Sequence, residues 1–468
     1  MKRNLAILAA LLILMLPMSV RADSNSATQS QSGLENYGEI DQFGVLNSAL
    51  QQQTGQYNNA LITQGDPNVL SGVSNIAQQT QIGDSNMATI QQFSVPLNPA
   101  LGNLAVQSQS GIANSAFAVQ LGDGNVASQG QVGAVHDAQI WQGAKPEFSA
   151  ILPSYLNVAN QYQEGDTHYA LIVQVGDGNQ AYQAQYGSGN WAEIWQDPAY
   201  YNYANQFQSG SGNVAQIYQT EGISNSAVQQ QYGNVNAAMI DQTAGIGNVA
   251  NQYQDNSAVD PAVAVGNIAN ILQFNGLSNI AAQTQIGDAN IALIDQSGIT
   301  VASSANQASQ VQLGVNNQAM IDQTDGVGNI ANQYQDNSAV AGAVGNVATI
   351  LQTGAQGSVA SQTQLGDMNS AMINQTFTLG DVAYQYQSGT GNIAVVNQDL
   401  VFTQGDFASQ QQFGTGNYAE IDQLGWFNAA YQYQDGLANA AYTTQNGNAN
   451  FASQTQIGSG NVAVIVQQ

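Results

Sequence analysis

Cysteine is absent from the 468-residue sequence, and positive charge is scarce: four Lys and Arg residues stand against thirty Asp and Glu residues. Without thiols the chain forms neither disulfides nor thiolate-bound metal centres. Its formal net charge of −26 repels the phosphate backbone of nucleic acids, which excludes nucleic-acid binding as a function class. A chain without disulfides must gain its stability elsewhere, and hydrogen-bond ladders are the expected source.

Catalytic motifs are missing as well. The sequence has no Gly-x-Ser-x-Gly nucleophile elbow, no phosphate-binding loop and no Cys/His cluster. A polysaccharide-cleaving β-helix enzyme would need a basic residue beside its acids, and Lys145 is the one cation outside the first 22 residues. We therefore predict that the protein is not an enzyme and that it uses no cofactor and no metal ion.

The first residues have the three regions of a secretory signal peptide. Lys2 and Arg3 precede an apolar run from Leu5 to Met18, and cleavage is predicted after Ala22. A membrane anchor is the alternative, but the run is shorter than the roughly 20 residues that a spanning helix needs. Loss of residues 1–22 removes three cations and lowers the formal charge from −26 to −29. Residues 23–468 are predicted to form a single elongated repeat domain, because stacked repeats need only their neighbours.

One pattern fills the rest of the sequence. The residues from Asn279 to Gln296 follow the template Asn-x-Ala-x-Gln-x-Gln-x-Gly-x-x-Asn-x-Ala-x-Ile-x-Gln. The pattern begins eighteen times, at residues 25, 47, 75, 103, 125, 157, 179, 202, 225, 248, 279, 306, 329, 358, 381, 406, 428 and 450. Such internal copies are an alignment of the chain with itself. The first Ala, the paired Gln residues and the closing Gln are the same in every copy, whereas the residues between them vary.

Fixed and variable positions alternate with period two on either side of the Gly-x-x-Asn break. Period two is the side-chain period of a β-strand, so each copy is predicted to be two short strands joined by a turn. The fixed columns are expected to face inward, because side chains stacked on identical neighbours tolerate less exchange than solvated ones. We predict an all-β fold: a cross-β-like β-solenoid of about 18 stacked two-strand rungs.

The predicted interior is thin and consists largely of amides. A buried amide without partners costs about 1–3 kcal/mol. Gln and Asn carry both a donor and an acceptor, however, so identical residues stacked at about 4.8 Å can satisfy one another in a ladder. Representative ladder positions are Asn279, Gln283, Gln285, Gly287, Asn290, Ala292, Ile294 and Gln296. At the two ends of the stack the half-satisfied residues would be Asn25, Gln29, Gln31, Gln454, Gln456, Asn461 and Gln467.

Acidic residues recur at the outward position before the closing Gln, at Asp41, Asp241, Asp295, Asp322 and Asp422. They can act as gatekeeper charges that oppose premature association, or they can hold Ca²⁺. The nonapeptides of calcium-binding β-rolls are absent from the sequence, which favours the gatekeeper interpretation.

Two other residue types allow two interpretations each. His136 and His168 fall in the second Asn column, where imidazole either replaces an amide in the ladder or provides a pH-sensitive or metal-binding group. Outward tyrosines are either ordinary strand residues or a surface that grips sugars, dyes or solids. These tyrosines are Tyr162, Tyr253, Tyr334, Tyr386 and Tyr433.

Connectors between copies are rich in Gly, Asp and Asn, which indicates tight turns. The longer connectors, at residues 65–74, 93–102 and 143–156, carry most of the prolines and are expected to bulge from one edge of the stack. In two copies the extra residues instead follow Gln254 and Gln335, inside the rung.

The template resembles the curlin repeat of curli fibre subunits, Ser-x5-Gln-x-Gly-x-x-Asn-x-Ala-x3-Gln. The matching residues in one copy are Gln285, Gly287, Asn290, Ala292 and Gln296, and Ser358 supplies the opening Ser in another copy. The resemblance implies a secreted, amyloid-forming subunit of extracellular fibres in the biofilm of a Gram-negative bacterium. It also implies export through an outer-membrane pore, periplasmic chaperones and a minor nucleator subunit.

The repeat and the resemblance together predict a self-assembling structural protein whose partner is a second copy of itself. An end rung exposes unpaired backbone groups and amides, which another chain can satisfy. The fibre would contribute to a biofilm matrix and to surface adhesion. The alternative is a monomeric exported β-solenoid, of the adhesin or ice-binding type, that binds a surface or a carbohydrate. An ice-binding face would need a regular outward Thr array, whereas the outward columns here are mixed.

Overall fold

The computed structural model describes residues 24–65, 72–94, 102–143, 153–299, 302–398 and 404–468. The predicted signal peptide, Lys145 and most of the three long connectors, with Pro67, Pro96, Pro99 and Pro146, lie outside these residues. Within the described ranges every regular element is a β-strand, which confirms the all-β prediction. A helix long and apolar enough to cross a membrane is not found in this part of the chain.

Each rung consists of a leading strand, a turn and a trailing strand, and glycine fixes the turn. Gly287 has a φ of +115°, and a Cβ at this position would lie 1.9 Å from the carbonyl oxygen of Gly314 in the next rung. A side chain is therefore excluded both by the backbone conformation and by the adjacent rung. Ala289, just before the second Asn, adopts the left-handed conformation with a φ of +55° and turns the chain into the trailing strand.

The chain divides into two compact units, Met1–Ala181 and Tyr182–Gln468, each described by itself. The leading strands of the first unit are Ser26–Leu34, Ser48–Gln56, Ile76–Asp84, Leu104–Ile112, Val126–Ala134 and Val158–Asp166. Its trailing strands are Tyr37–Gln42, Asn59–Gln64, Met87–Phe93, Ser115–Asp123, Asp137–Gln142 and Tyr169–Gln174. Short strands in the connectors are Gly44–Val45, Gly72–Val73 and Ser154–Tyr155. The prediction that residues 23–468 form a single domain stays a prediction.

The second unit repeats the arrangement over more rungs. Its leading strands are Gln180–Ser188, which begins two residues before the unit, Tyr203–Ser211, Ser226–Asn234, Val249–Asp255, Ile280–Asp288, Gln307–Val315, Ile330–Asp336, Val359–Asp367, Val382–Thr390, Phe407–Thr415, Ala429–Leu437 and Phe451–Ser459. Its trailing strands are Trp191–Gln196, Val214–Tyr218, Ala237–Asp241, Ile268–Leu272, Ile291–Asp295, Gln318–Asp322, Val347–Leu351, Ser370–Asn374, Ile393–Gln398, Tyr418–Trp426, Ala440–Asn448 and Val462–Gln467.

Strands of successive rungs pair in parallel and in exact repeat register. In the second unit Gln283 pairs with Gln310, and Gly287 pairs with Gly314. In the first unit Ala49 pairs with Ala77 in the same way. Within each unit the leading strands thus form one sheet and the trailing strands form the facing sheet. Each unit is a β-solenoid, and the described rungs of the two units number about 18, as the repeat predicted.

The interior contains the fixed columns, as predicted. In the strand Ile280–Asp288 exposed or half-exposed residues alternate with buried ones, and the buried ones include Ala281, Gln283 and Gln285. Ala keeps the facing sheets close together, and the Ile column, represented by the fully buried Ile294, adds an apolar rib.

The two loops inside rungs are fastened by carboxylates of the following rung. Asp288 accepts hydrogen bonds from the backbone N–H groups of Val265, at 3.0 Å, and Gly266, at 2.7 Å. Asp367 does the same for Val344 and Gly345. Burial raises the pKa of Asp288, but these N–H donors outweigh it, and the net direction is downward. These turn acids therefore have a structural role that the sequence did not indicate.

Candidate functional site: amide ladders and terminal rungs

The glutamine columns form continuous hydrogen-bonded ladders. Gln285 Nε2 donates one hydrogen bond along the column to Gln312 Oε1 at 2.9 Å and another across the interior to the backbone oxygen of Ile268 at 2.9 Å. Gln283 repeats this with Gln310 and the oxygen of Asn270. Each amide therefore links successive rungs and clips the two sheets together, which satisfies a polar interior.

All the glutamine ladders run in one direction. In each unit the earlier rung donates through Nε2 and the later rung accepts through Oε1. The first unit shows this for the columns that begin at Gln31, Gln42 and Gln51. The second unit shows it for the columns that begin at Gln183, Gln185 and Gln196. A ladder of this kind has a donor end and an acceptor end.

In the asparagine columns the backbone N–H donates to the preceding rung, whereas the side-chain nitrogen donates to the next rung. The backbone N–H of Asn290 donates to Asn267 Oδ1 in the preceding rung at 3.1 Å, and its Nδ2 donates to the backbone oxygen of Gly314 in the next rung at 2.9 Å. Asn279 likewise donates its N–H to Asn248 Oδ1 at 2.9 Å. Each member of the column needs one acceptor for a neighbouring N–H and one donor for a carbonyl.

The first described rung departs from this pattern at Gln29. Its Nε2 lies only 2.0 Å from the place where a Cβ on Gly38 would be. Gly38 is the one Gly in the second Ala column, so this rung alone has room for the amide there. Gln51 Oε1, which would accept the ladder bond from Gln29, is buried without a hydrogen-bond partner. Gln31 keeps its ladder bond to Gln53 Oε1 at 2.6 Å.

In the first and last described rungs, residues 25–42 and 450–467, the inward columns meet a neighbouring described rung on one side only. Gln29 and Gln31 are exposed, and Asn25 is half-buried. In the last rung Nε2 of Gln454, Gln456 and Gln467 donates to the backbone oxygens of Tyr442, Ala440 and Phe451. No later rung in the described chain takes their second N–H. Asn461 is half-buried and bonds back to Asn439.

His136 and His168 lie in the ladder. Both are 1% exposed, and their rings stack with centroids 5.0 Å apart. His136 Nδ1 accepts the backbone N–H of His168 at 3.3 Å, which makes Nε2 the protonated nitrogen facing the backbone oxygen of Val132 at 3.1 Å. Neutral imidazole thus replaces both functions of the amide. Burial lowers the pKa of His136 and favours this neutral form.

The five predicted gatekeeper acids are half-buried rather than fully exposed. Asp241, Asp295 and Asp322 each accept the backbone N–H of the residue two positions later, at 3.0, 3.0 and 2.8 Å. Asp422 accepts Nδ2 of Asn397 at 2.8 Å, and Asp41 lies at the same column position in the first rung. Asp241, Asp295 and Asp322 thus cap turns in addition to carrying outward charge. Across the described ranges no three His, Cys, Asp or Glu residues form a group able to hold a metal ion.

Outward aromatic residues form rows of mutually tilted rings in the second unit. Tyr386, Phe413 and Tyr433 are in contact, with ring centroids 5.4 and 5.6 Å apart. A parallel series on the same strands has centroids 5.2–6.0 Å apart and consists of Tyr384, Phe407, Tyr431 and Phe451. We call these seven residues the aromatic face. Outside this face, the tyrosines at 162, 253 and 334 donate their hydroxyls to the acid two positions later. Tyr253 also contacts Tyr232, with ring centroids 5.7 Å apart.

Sequence reasoning missed the consequences of substitutions inside fixed columns. Asp381 and Asp406 stand where most copies have Asn, and both are buried. Thr443 in the Ile column accepts Nε2 of Gln432 at 3.0 Å. The available signal was the departure from the template itself, because a polar residue in a buried column changes the hydrogen bonding there.

Comparisons with known proteins give no relative for this set of ladders and rungs. No protein-family model matches the chain, and no curated protein matches it. The similarity of the template to the curlin repeat therefore stays a prediction.

Proposed function

We propose that the protein is a secreted structural subunit of extracellular, curli-like functional amyloid fibres, which assembles by end-to-end stacking of its rungs. The observation that carries this proposal is the unbroken, one-directional glutamine ladder of the second unit, which continues into the last rung at Gln445 and Gln467, 2.8 Å apart. Another rung offering the same columns would continue it without any new kind of contact.

The direction of the ladders specifies the geometry of stacking. The last rung offers Nε2 donors, as at Gln456, and the first offers acceptors, as at Gln31 Oε1. Docking two last rungs against each other would oppose donors to donors. A head-to-tail contact, last rung on first rung, pairs donors with acceptors and keeps the strands parallel. Such a heterologous contact does not close on itself and produces a filament.

The charge distribution supports end-on rather than lateral association. The inward columns that reach a terminal rung are amide or apolar, whereas gatekeeper acids such as Asp295 and Asp322 lie on outward positions. Copies of the chain without residues 1–22, with a formal net charge of −26 − 3 = −29, repel each other through their sides. The stacking face is the surface on which this repulsion is least.

Several parts of the proposal follow from the curlin resemblance. These are the extracellular location after removal of residues 1–22, an outer-membrane secretion pore, periplasmic chaperones, a minor nucleator subunit, and a role in biofilm matrix and adhesion.

Assembly can be tested on the purified chain lacking residues 1–22. We expect thioflavin-positive fibres whose diffraction shows spacings of about 4.8 Å along the fibre and about 10 Å across it. Gln456→Lys, which places a charge in the stacking face, should block growth, whereas Thr455→Lys, on the outward side of the same strand, should not. A chain that stays monomeric over a wide range of pH and salt would refute the proposal.

The aromatic face favours a second candidate function, carbohydrate binding by the solenoid. Rows of tilted rings with Ser409 and Gln411 at outward positions among them offer apolar surface and hydrogen-bonding groups to the apolar faces and hydroxyls of sugars. Co-sedimentation of the chain with an insoluble neutral glucan tests this function. Binding that is lost in Tyr431→Ser, while fibres still form, would establish it separately from assembly.

A further inference from the structure

Three consecutive rungs depart from Asn in the first Asn column, at Ser358, Asp381 and Asp406. The two aspartates occupy adjacent rungs, because the next residues, Val382 and Phe407, are register partners. Asp381 is 0% exposed and Asp406 is 1% exposed. The interior of the second unit therefore contains two stacked carboxyl groups.

One oxygen of each aspartate continues the column. Asp381 Oδ1 accepts the backbone N–H of Asp406 at 3.0 Å, and Asp406 Oδ1 accepts that of Asn428 at 2.7 Å. These are the acceptor bonds that Asn Oδ1 makes elsewhere in the column, as when Asn279 Oδ1 accepts the N–H of Asn306. The acceptor function of the amide is preserved.

The donor function is not preserved at Asp406. In the next rung Asn428 Nδ2 donates to the backbone oxygen of Gly447 at 3.0 Å, and in the rung at 306 Asn306 Nδ2 donates to that of Gly326 at 2.8 Å. Asp406 has Oδ2 in place of that nitrogen, and this oxygen is buried with no hydrogen-bond partner. A proton on Oδ2 would supply the missing donor, and the repeat places the carbonyl of Gly425 as its acceptor.

Compensation for a charge on Asp406 comes from Asn428 of the following rung, whose backbone and side-chain amides both stabilise the carboxylate. The charged group that faces Asp406 from the preceding rung is Asp381, which opposes that charge. The closing glutamines Gln398 and Gln423 of the two rungs are neutral. Asp399 lies outside the described residues. Burial, together with Asp381, raises the pKa of Asp406 to about 7 although Asn428 donates to it.

We propose that the Asp381–Asp406 pair is a proton-operated latch: a proton held in the column completes the ladder, and its loss above neutral pH loosens the rungs at 381, 406 and 428. The site takes a proton rather than a metal ion, because the orphan oxygen is enclosed and no three-residue ligand group exists among the described residues.

The expected direction follows from proton linkage. Below the ordinary pKa of 3.8 the Asp406 carboxyl is protonated in both the folded and the unfolded state, and the latch makes its full contribution to local stability. Between pH 3.8 and about 7 only the folded state holds the proton, so local stability falls as pH rises. Above about 7 the contribution is lost. The local opening constant is expected to rise roughly a thousand-fold across this range.

Hydrogen exchange of the purified full chain, kept dilute so that it stays unassembled, tests the latch. The amides of Asp406 and Asn428, which bond to the two carboxyls, should lose protection between pH 5 and pH 8 after correction for the intrinsic exchange rate. Asp381→Asn with Asp406→Asn restores the template, and this double variant should keep its protection at pH 8.

A matched control removes the same charge from the outside. Asp422→Asn with Asp435→Asn changes two outward acids of the same rungs and should leave the pH profile of those amides unchanged. The latch proposal would be overturned if the Asp381→Asn, Asp406→Asn variant showed the same pH profile as the outward control variant. It would also be overturned if the wild-type chain kept its protection up to pH 8. Because the readout is local opening, it is independent of whether fibres form.

Discussion

The histidine pair of the first unit and the aspartate pair of the second unit solve the same local problem differently. Each pair replaces amides in a buried Asn column, and each keeps the acceptor for the next backbone N–H, at His136 Nδ1 and at Asp381 Oδ1. Neutral imidazole also keeps a donor, on Nε2. A carboxylate has no donor until it is protonated. An amide column thus tolerates a substitution when the new side chain keeps both the donor and the acceptor. When the donor exists only in the protonated form, the local stability becomes pH-dependent.

The largest loss of stability is expected when the two buried histidines of the first unit are replaced by aspartates. His136→Asp with His168→Asp places two carboxylates where neutral rings stack 5.0 Å apart. With no compensating donor, we expect a loss of about 3–5 kcal/mol at pH 8, the usual cost of an uncompensated buried charge. Urea unfolding followed by a probe in the first unit measures it. His136→Asn with His168→Asn is the control, and equal stability of the two double variants would contradict the comparison.

A substitution in a glutamine column that has the same residue in every rung tests how much the ladder amides contribute to stability. Gln285→Leu removes the acceptor for Gln254 Nε2 and the donor for Gln312 Oε1. We expect a loss of about 2–3 kcal/mol in the free energy of unfolding, because two buried polar groups lose partners. The outward neighbour Thr284→Leu should change it by less than about 0.5 kcal/mol. A larger loss of stability in Thr284→Leu than in Gln285→Leu would exclude the ladder as the stabilising element.

Acid should affect the histidine pair in the sense opposite to the aspartate latch. Burial lowers the pKa of His136 below 6.5, so on acidification the unfolded state binds the proton first. The stability from this group is present above pH 6.5 and is lost as pH falls through the folded pKa, by at most about 1.4 kcal/mol per pH unit. The protection factor of the His168 amide, which donates to His136 Nδ1, should fall in acid after correction for the intrinsic exchange rate. His136→Asn should abolish that loss of protection, and its persistence would show another origin.

The smallest expected change in stability concerns the Gln29 column, where the ladder is interrupted because Gly38 lacks the methyl group of Ala. Gly38→Ala should displace the Gln29 amide, the mobile end of a side chain, and let it bond to Gln51 Oε1. We expect a stabilisation of about 1 kcal/mol from the restored hydrogen bond and the lower entropy of the unfolded chain. Thermal unfolding reports it, and Gln29→Ala combined with Gly38→Ala should remove the hydrogen-bond part. A destabilised Gly38→Ala variant would show that Gln29 gains more from its present position.

Repetition explains how much of the fold was predictable. Because each rung meets another copy of itself, the columns of the sequence are also columns in space, so the inward position of Gln283 and Ile294 followed from period two alone. The neighbours of a residue in most folds are unknown from sequence, whereas here they were the same residue of the next copy. The placement of His136 and His168 in the ladder was predictable for the same reason.

The sequence by itself determined the β-solenoid, the Gly turn and the identity of the amide columns, because these depend on a pattern that recurs at every rung. Only the tertiary structure decided the direction of the ladders, the fastening of loops by Asp288 and Asp367, and the orphan oxygen of Asp406. Each of these depends on which atom of one rung faces which atom of the next, and a pattern of residue names does not contain that relation.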